Sequence, residues 1–128
     1  SSDITGDQVS LSSTSTLTKS GSDSTGLDQF TGVNTVLYAA AQSAATLISA
    51  AYAATTTVAH KVYIRNASTS TSCYVLVDID STANEPLGRL YAGDWCFFPW
   101  MGTLDIDFTT NETGQTVEFA VISQSIAS

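Results

Sequence analysis

Apolar and polar residues alternate along most of the chain after residue 60. The alternating segments are residues 61–65, 73–79, 104–108 and 117–121. A period of two is typical of β-strands that bury one face and expose the other. The side chains that this period predicts to point inwards are Val62, Ile64, Val75, Val77, Ile79, Leu104, Ile106, Phe108, Val117, Phe119 and Val121. They suffice for one hydrophobic core.

Turn-forming stretches separate these segments. Residues 66–72 and 81–86 are polar, and residues 111–115 contain the glycine that a hairpin favours. Two further short strands are predicted over residues 36–38 and 87–91. Short strands joined by consecutive hairpins indicate antiparallel sheets. We therefore predict an all-β fold, an antiparallel β-sandwich that is jelly-roll-like or immunoglobulin-like.

The densest apolar run, residues 93–101, contains both tryptophans. It is too short to span a bilayer, and it indicates a strand with apolar side chains on both faces. We predict that Trp95 and Phe97 fill the sandwich interior. Trp100 and Met101, at the far end of the run, are expected at a boundary that another subunit or the N-terminal arm covers.

Residues 39–54 are rich in alanine, and their pattern does not decide between a helix and strands. Alanine favours a helix, which would line up one apolar face. That face would contain Leu47, Ile48, Ala51 and Tyr52. Because the segment has almost no charge to solvate the other side, and contains Thr46 and Ser49, we expect strands with a turn near residues 42–43.

Residues 1–30 are predicted to be an extended N-terminal arm, and residues 31–128 the β-sandwich domain. The arm consists mostly of Ser, Thr, Gly and Asp, and cannot bury enough apolar surface to fold alone. Val9, Leu11 and Leu17 share parity and would point one way in an extended strand. The sequence contains no stretch typical of a signal peptide or a transmembrane helix and does not start with Met, so we expect a processed or trimmed N-terminus.

The chain has few charged residues, and its net charge is negative. Net charge is −8, and the fixed cations are Lys19, Lys61, Arg65 and Arg89. So few cations argue against direct nucleic-acid binding and against attachment to anionic lipid. Only 12% of residues are charged, about half the usual share, and hydroxyl side chains supply the polarity instead. This composition favours a component of a large assembly.

Two Asp-Ile-Asp motifs are the strongest candidates for a chemical site. If the strands carrying Asp78, Asp80, Asp105 and Asp107 were neighbours, four carboxylates would gather as a calcium site or as a pair for glycoside hydrolysis. The simpler interpretation, that these residues solvate the outer faces of their strands, is favoured because no calcium-loop ligands accompany them.

The remaining reactive residues show no catalytic or metal-binding pattern. His60, the single histidine, is expected at the surface, and no nucleophile elbow surrounds a serine. Cys73 and Cys96 lack zinc spacing; they would form one bridge or, as we favour, remain buried free thiols. No glycine-rich phosphate loop is present. We expect no enzyme activity, cofactor or metal.

Three segments resemble accessory virion proteins of tailed bacteriophages. They are residues 61–68 (KVYIRNAS), residues 90–100 (LYAGDWCFFPW) and residues 117–121 (VEFAV). The resemblance lies in a strand of the Tyr-Ile-Arg-Asn-x-Ser kind followed by a Leu-x-x-Gly-acid-x-x-x-Phe-Pro turn and strand. It covers the last two thirds of the chain, and the Ser/Thr-rich arm departs from it.

The resemblance implies a small, often trimeric β-sandwich that decorates and clamps the outer capsid surface after assembly in the host cytoplasm. Its expected partners are the major capsid protein or other virion proteins, without nucleic acid or membrane. The residues expected at subunit or capsid contacts are Val9, Leu11, Leu17, Trp95, Phe97, Phe98, Trp100 and Met101. The alternatives are a tail or fibre component that binds glycans through exposed aromatic residues, and a secreted carbohydrate-binding sandwich that uses the Asp pairs.

Overall fold

The structure, a computed structural model, describes residues 26–50, 58–80 and 86–125. For residues 26–29 and 125 it describes the backbone only. These residues form nine strands and no helix. The strands are β1 (Gly26–Phe30), β2 (Asn34–Tyr38), β3 (Ala45–Ile48), β4 (Val58–Asn66), β5 (Tyr74–Ile79), β6 (Pro86–Tyr91), β7 (Trp95–Trp100), β8 (Ile106–Thr110) and β9 (Gln115–Ser125). The described sandwich thus begins at Gly26, inside the range that the sequence assigned to the arm.

The strands form two antiparallel sheets. The larger sheet has the order β1-β9-β4-β7, and β2 also pairs with β9. β1 follows the carboxyl-terminal half of β9 and β2 its amino-terminal half, so the two share one edge position. The smaller sheet has the order β3-β8-β5-β6.

The pairing pattern is that of a jelly roll. β5 pairs with β6, β4 with β7, β3 with β8 and β2 with β9, and every one of these pairs is antiparallel. The chain is therefore one long hairpin, with its tip between β5 and β6, rolled so that alternate pairs fall in opposite sheets. This confirms the predicted β-sandwich and selects the jelly roll over the immunoglobulin-like alternative.

The core lies between the sheets and consists mostly of the predicted residues. Its fully or nearly fully buried members include Val62, Ile64, Val75, Val77, Ile106, Phe108, Val117 and Val121. Ile79 and Phe119 pack against them half-buried. Leu104 is a wrong prediction: it is 48% exposed, because β8 begins only at Ile106 and Leu104 lies in the preceding bend.

The alanine-rich segment contains one short strand in its described part. β3 pairs with β8, and a register shift between Thr46 and Ile48 lets Leu47 join the core. The chain bends before β3, where the backbone N–H of Gln42 donates to Thr110 Oγ1 at 2.7 Å. The expected strand is confirmed over β3, while Ala51 and Tyr52 lie outside the described residues.

Two buried amides join the sheets at one end of the sandwich. Asn66, at the end of β4, donates from its side-chain nitrogen to the carbonyl of Leu90 in β6 at 2.9 Å. Gln115, at the start of β9, donates likewise to the carbonyl of Tyr74 in β5 at 3.0 Å. Both side chains are fully buried. Because both bonds cross between sheets, they fix the sheets relative to each other at this end.

Candidate functional site

Exposed apolar side chains gather on the outer face of the larger sheet. We call this surface the aromatic face and define it by Phe30, Val33, Tyr63, Trp95, Phe97 and Ile122. Trp95 is 63% exposed, Phe97 46% and Phe30 57%. Soluble proteins rarely expose several large aromatic side chains side by side, so we take the aromatic face as the candidate contact surface.

Strand register brings these residues side by side. Tyr63 of β4 lies opposite both Phe97 of β7 and Ala120 of β9, and Phe30 of β1 lies opposite Ile122. Directly opposed residues in antiparallel strands point to the same side of the sheet. Between them lies a shallow, open depression of about 290 Å³.

Polar groups border the aromatic face on one side. The Tyr63 hydroxyl donates to Glu118 Oε1 at 2.8 Å, and Arg65 Nη1 lies 3.8 Å from Glu118 Oε2. Burial, the hydrogen bond and the charge of Glu118 together raise the pKa of the Tyr63 phenol. The phenol therefore stays protonated and keeps its donated bond to the carboxylate at neutral pH.

The placement of the two tryptophans corrects the sequence prediction. Trp95 and Phe97, expected to fill the interior, point outwards. Trp100, expected at a boundary, is 6% exposed and belongs to the core, where its Nε1 donates to the carbonyl of Leu104 at 3.0 Å. The cause is the register with β4, in which Trp100 opposes the buried His60.

The other residues assigned to contacts fall in three different places. Phe98 lies on the inner face of β7 and packs half-buried against the core. Met101 is exposed just beyond the end of β7. Val9, Leu11 and Leu17 lie outside the described residues.

The two Asp-Ile-Asp motifs do lie on neighbouring strands. Asp78 of β5 directly opposes Asp107 of β8, and Asp107 is only 5% exposed, so it does not solvate the sheet as the sequence suggested. Asp78 Oδ1 is buried and has no hydrogen-bond partner among the described residues. Asp105 instead accepts the backbone N–H of Ala50 at 2.6 Å. Among the described residues, no cluster of His, Cys, Asp or Glu is large enough to hold a metal ion.

His60 is buried, contrary to the surface position expected for it. Its Nδ1 lies 2.8 Å from Ser123 Oγ, and its ring meets that of Trp100 edge-on at 6.3 Å between centroids. Ser123 is itself buried. Both partners of this contact are therefore buried, on directly opposed residues of β4 and β9.

The cysteines are free thiols, as favoured from the sequence. Cys73 is buried and its thiol donates to Glu112 Oε2 at 3.6 Å. Burial, and secondarily the charge of Glu112, raises the pKa of Cys73. Burial likewise raises the pKa of Cys96. Both remain protonated at neutral pH and are poor nucleophiles.

Comparisons with protein-family models and with curated sequences gave no match. Within residues 26–50, 58–80 and 86–125, no helix is long and apolar enough to cross a bilayer.

Several members of the aromatic face were missed by the sequence reasoning. The outward position of Tyr63 follows from its alternation with Val62 and Ile64, but the sequence analysis did not assign this residue to a contact. Ile122 and Phe30 were not assigned at all, because β9 extends past residue 121 and β1 lies in the segment treated as the arm. The available signal was residue parity: in a strand that continues past residue 121, the even-numbered residues of 118–124 share Tyr63's side of the sheet.

Proposed function

We propose that the chain is a non-enzymatic structural protein of a tailed-phage virion, a decoration or cement protein that stabilises the outer capsid surface. The aromatic face is the surface that contacts its neighbours, the major capsid protein or another copy in a homotrimer. The observation that carries this proposal is the exposure of Trp95, Phe97 and Phe30 together on one sheet, outside a core that is already complete.

Burial of the aromatic face supplies the driving force of the proposed contact. Removing apolar surface from water contributes about 25 cal/mol per Å². Aromatic side chains also dominate the energetic centre of protein interfaces, because they bury large areas with few rotatable bonds. The jelly roll is compatible with this role, since viral capsid domains use it, but lectins and other proteins use it too.

The charge distribution is consistent with an outer position on the capsid. The net charge of −8 would oppose contact with packaged DNA. The charged side chains on the outer face of the larger sheet, among the described residues, are Lys61, Arg65 and Glu118. These three described side chains sum to one positive charge, in contrast to the net charge of the whole chain, and suit a neighbour with an acidic surface.

A reconstruction of purified virions by electron cryomicroscopy tests the proposal. We expect density for the jelly roll on the outer capsid, with the larger sheet turned towards its neighbours. Density on the tail, or its absence from the virion, would overturn the capsid assignment.

A second candidate, a tail or fibre component that binds glycans, is favoured by one observation. The ring centroids of Tyr63 and Trp95 lie 6.4 Å apart, beside Arg65 and Glu118. Aromatic rings on which a sugar could stack thus lie next to groups that could form hydrogen bonds with it. Titration of the protein and of Trp95→Ala against a panel of host surface glycans tests it. Binding that the substitution abolishes would support it, and no binding to any glycan would exclude it.

A further inference from the structure

An apolar pocket opens between the two sheets on one side of the sandwich. Among the described strands, β7 ends the larger sheet and β6 ends the smaller one. The two edges lie on the same side, because β6 and β7 are joined by residues 92–94 alone. The pocket between them has a volume of about 290 Å³, and its lining includes Val77, Leu87, Gly88, Leu90, Cys96 and Phe98.

Gly88 is the position at which the wall of the pocket lacks a side chain. It opposes Val77 in the register of β5 and β6, so it lies on the inner face of the smaller sheet. A Cβ atom placed on Gly88 would meet no other atom within 4 Å. Its φ of 154° is one that glycine adopts readily and other residues rarely do, so the backbone here favours glycine and with it an open wall.

The pocket is apolar and reaches the hydrophobic core. Val77 is 3% exposed, and Leu90, Cys96 and Phe98 pack half-buried against the core, whereas Leu87 forms the rim and is 60% exposed. Burial raises the pKa of the Cys96 thiol, so this thiol is uncharged at neutral pH. Water that finds few polar partners in such a pocket is readily displaced by an apolar group.

Arg89 also lines the pocket, but its charge is engaged elsewhere. Its guanidinium carbon lies 4.3 Å from the centre of the Tyr74 ring, in a cation–π contact. Tyr74 alternates with the buried Val75 and therefore lies on the outer side of the smaller sheet. The interior of the pocket thus favours an uncharged apolar group over an anion.

The volume of the pocket limits the size of its occupant. Pockets that enclose drug-sized ligands measure about 300–1,000 Å³, and this pocket lies at the small end of that range. A cavity of about 150 Å³ already takes up benzene, so the pocket has room for the ring of one phenylalanine. One large side chain is therefore an occupant of suitable size.

The position of the pocket between two edge strands favours an occupant that is carried on an extended segment. Edge strands present unpaired backbone groups with which another chain can pair. A segment added along β7 would point alternate side chains into the pocket and, on the outer side, towards Trp95 and Phe97 of the aromatic face. The pocket and the aromatic face are the two sides of one edge, so a single added strand would cover both.

The charges favour another protein over a second copy as the source of this segment. Each copy carries a net charge of −8, which opposes self-association. On the outer side of β4, Lys61 and Arg65 oppose Pro99 and Trp95 of β7, and Glu118 offsets one of the two cations. A segment with acidic residues beside its apolar ones complements this edge.

We propose that the pocket between β6 and β7 binds one large apolar side chain of an acidic extended segment, which another protein lays along the edge of β7. The pocket adds specificity to the aromatic face, because only a segment with a large apolar residue on its inner side fills it. That the other protein belongs to a virion rests on the proposed function, whereas the preference of the pocket is a property of the free protein.

Toluene, which reproduces the side chain of phenylalanine, tests the pocket by itself. We expect toluene to shift the methyl NMR signals of Val77, Leu87 and Leu90 saturably. Cys96→Trp, which fills the pocket, should weaken this binding at least about tenfold, and Cys96→Ala should leave it within about threefold. Absent shifts, or equal binding by the natural protein and Cys96→Trp, would overturn the proposal.

A pair of exposed leucines keeps the test valid if Cys96→Trp does not fold. Leu87→Asp puts a charge at the rim of the pocket and should weaken toluene binding about tenfold. Leu104→Asp, at an exposed leucine outside the pocket lining, should bind toluene like the natural protein. An equal loss in both variants, or a loss in neither, would contradict the assignment of the site.

The synthetic peptide Glu-Thr-Val-Phe-Val-Thr-Glu tests the extended segment, and its matched control has Ser in place of Phe. In an extended peptide the Phe lies on one side, and the Val and Glu residues lie on the other, where the aromatic face and its cations are. We expect the Phe peptide to shift the same methyl signals and to bind at least about tenfold more tightly than the Ser peptide.

Equal affinities of the two peptides would refute the proposed occupant. Self-association of the protein that Leu87→Asp abolishes would also refute it, because the occupant would then be a second copy. None of these measurements involves a virion, so this proposal and the proposed function fail separately.

Discussion

Trp95 and Trp100 lie five residues apart in β7 and have opposite environments. Trp100 packs in the core against His60 and donates to the carbonyl of Leu104, while Trp95 lies in solvent opposite Arg65. An odd spacing in a strand places two side chains on opposite faces. The core and the exposed surface thus receive different tryptophans of one short strand.

Substitution of each tryptophan should separate these roles. We expect Trp100→Ala to lower the free energy of unfolding by about 3–5 kcal/mol, because it leaves a cavity between the sheets. We expect Trp95→Ala to change it by less than about 0.5 kcal/mol, because the indole is mostly in solvent. Urea unfolding followed by circular dichroism measures both, and equal losses in the two variants would contradict this placement of β7.

His60 gives the fold a dependence on pH. Burial lowers the pKa of His60 below its ordinary value of about 6.5, since the charged ring would lose its hydration in the core. The folded state therefore prefers the neutral ring. Its contribution to stability is fully present above about pH 6.5 and is lost as the pH falls from there through the lower pKa of the folded state.

The His60→Gln variant isolates this contribution, because glutamine can still bond to Ser123 but does not titrate. We expect the free energy of unfolding of the natural protein to fall more between pH 7.5 and pH 5 than that of the variant. Denaturant titrations at the two pH values measure the difference. Identical pH dependence in the two proteins would show that His60 is not desolvated in the folded state.

At the scale of the elements, β7 shows where sequence reasoning ends. Its six residues are apolar on both faces, so alternation predicts a strand but does not choose which face points inwards. The choice is made by the partner: Val62 and Ile64 of β4 oppose Phe98 and Cys96, and these pairs face the core. The inner faces of β4 and β5 were predicted correctly because each of these strands has one clearly apolar face. The inner face of β7 was not, because both of its faces are apolar.

Pro99 is a second sequence signal in β7, and it indicates an edge position. Proline cannot donate a backbone hydrogen bond, so within sheets it occurs at edge strands. Among the described strands, β7 lies at the edge of the larger sheet and pairs with β4 alone. A strand at the edge of a sheet can expose its outer face. The edge position that Pro99 indicates therefore fits the outward-facing aromatic residues of β7 better than a position in the centre of the core.

The junction between the sheets gives a prediction at this scale. Asn66→Ala removes the two bonds that this buried amide donates, to the carbonyls of Leu90 and Cys73, so we expect a loss of about 1–3 kcal/mol in unfolding free energy. The exposed Asn34 is the control, and Asn34→Ala should cost less than about 0.5 kcal/mol. Thermal and urea unfolding measure both. A small effect at Asn66 would mean that the two sheets do not depend on this amide.

At the scale of the whole molecule, local alternation predicted a sandwich but not its winding. The jelly roll depends on pairs far apart in sequence, such as Asn34 with Phe119 and Ala45 with Phe108, which no local pattern encodes. The aromatic face depends on the same long-range pairing, since it takes residues from β1, β4, β7 and β9. For this reason the core could be listed from the sequence, whereas the face could be recognised only when the strands were placed.

The central proposal is that the aromatic face attaches this protein to its neighbours in the virion. Its most direct test is co-sedimentation of the purified protein with capsids that lack it, using Phe97→Glu and Tyr91→Glu. Both residues are about half exposed, on opposite sheets, and both variants add one negative charge. We expect Phe97→Glu to abolish binding and Tyr91→Glu to bind like the natural protein, with the stability of both unchanged. Undiminished binding of Phe97→Glu, or equal loss in both variants, would contradict the proposal.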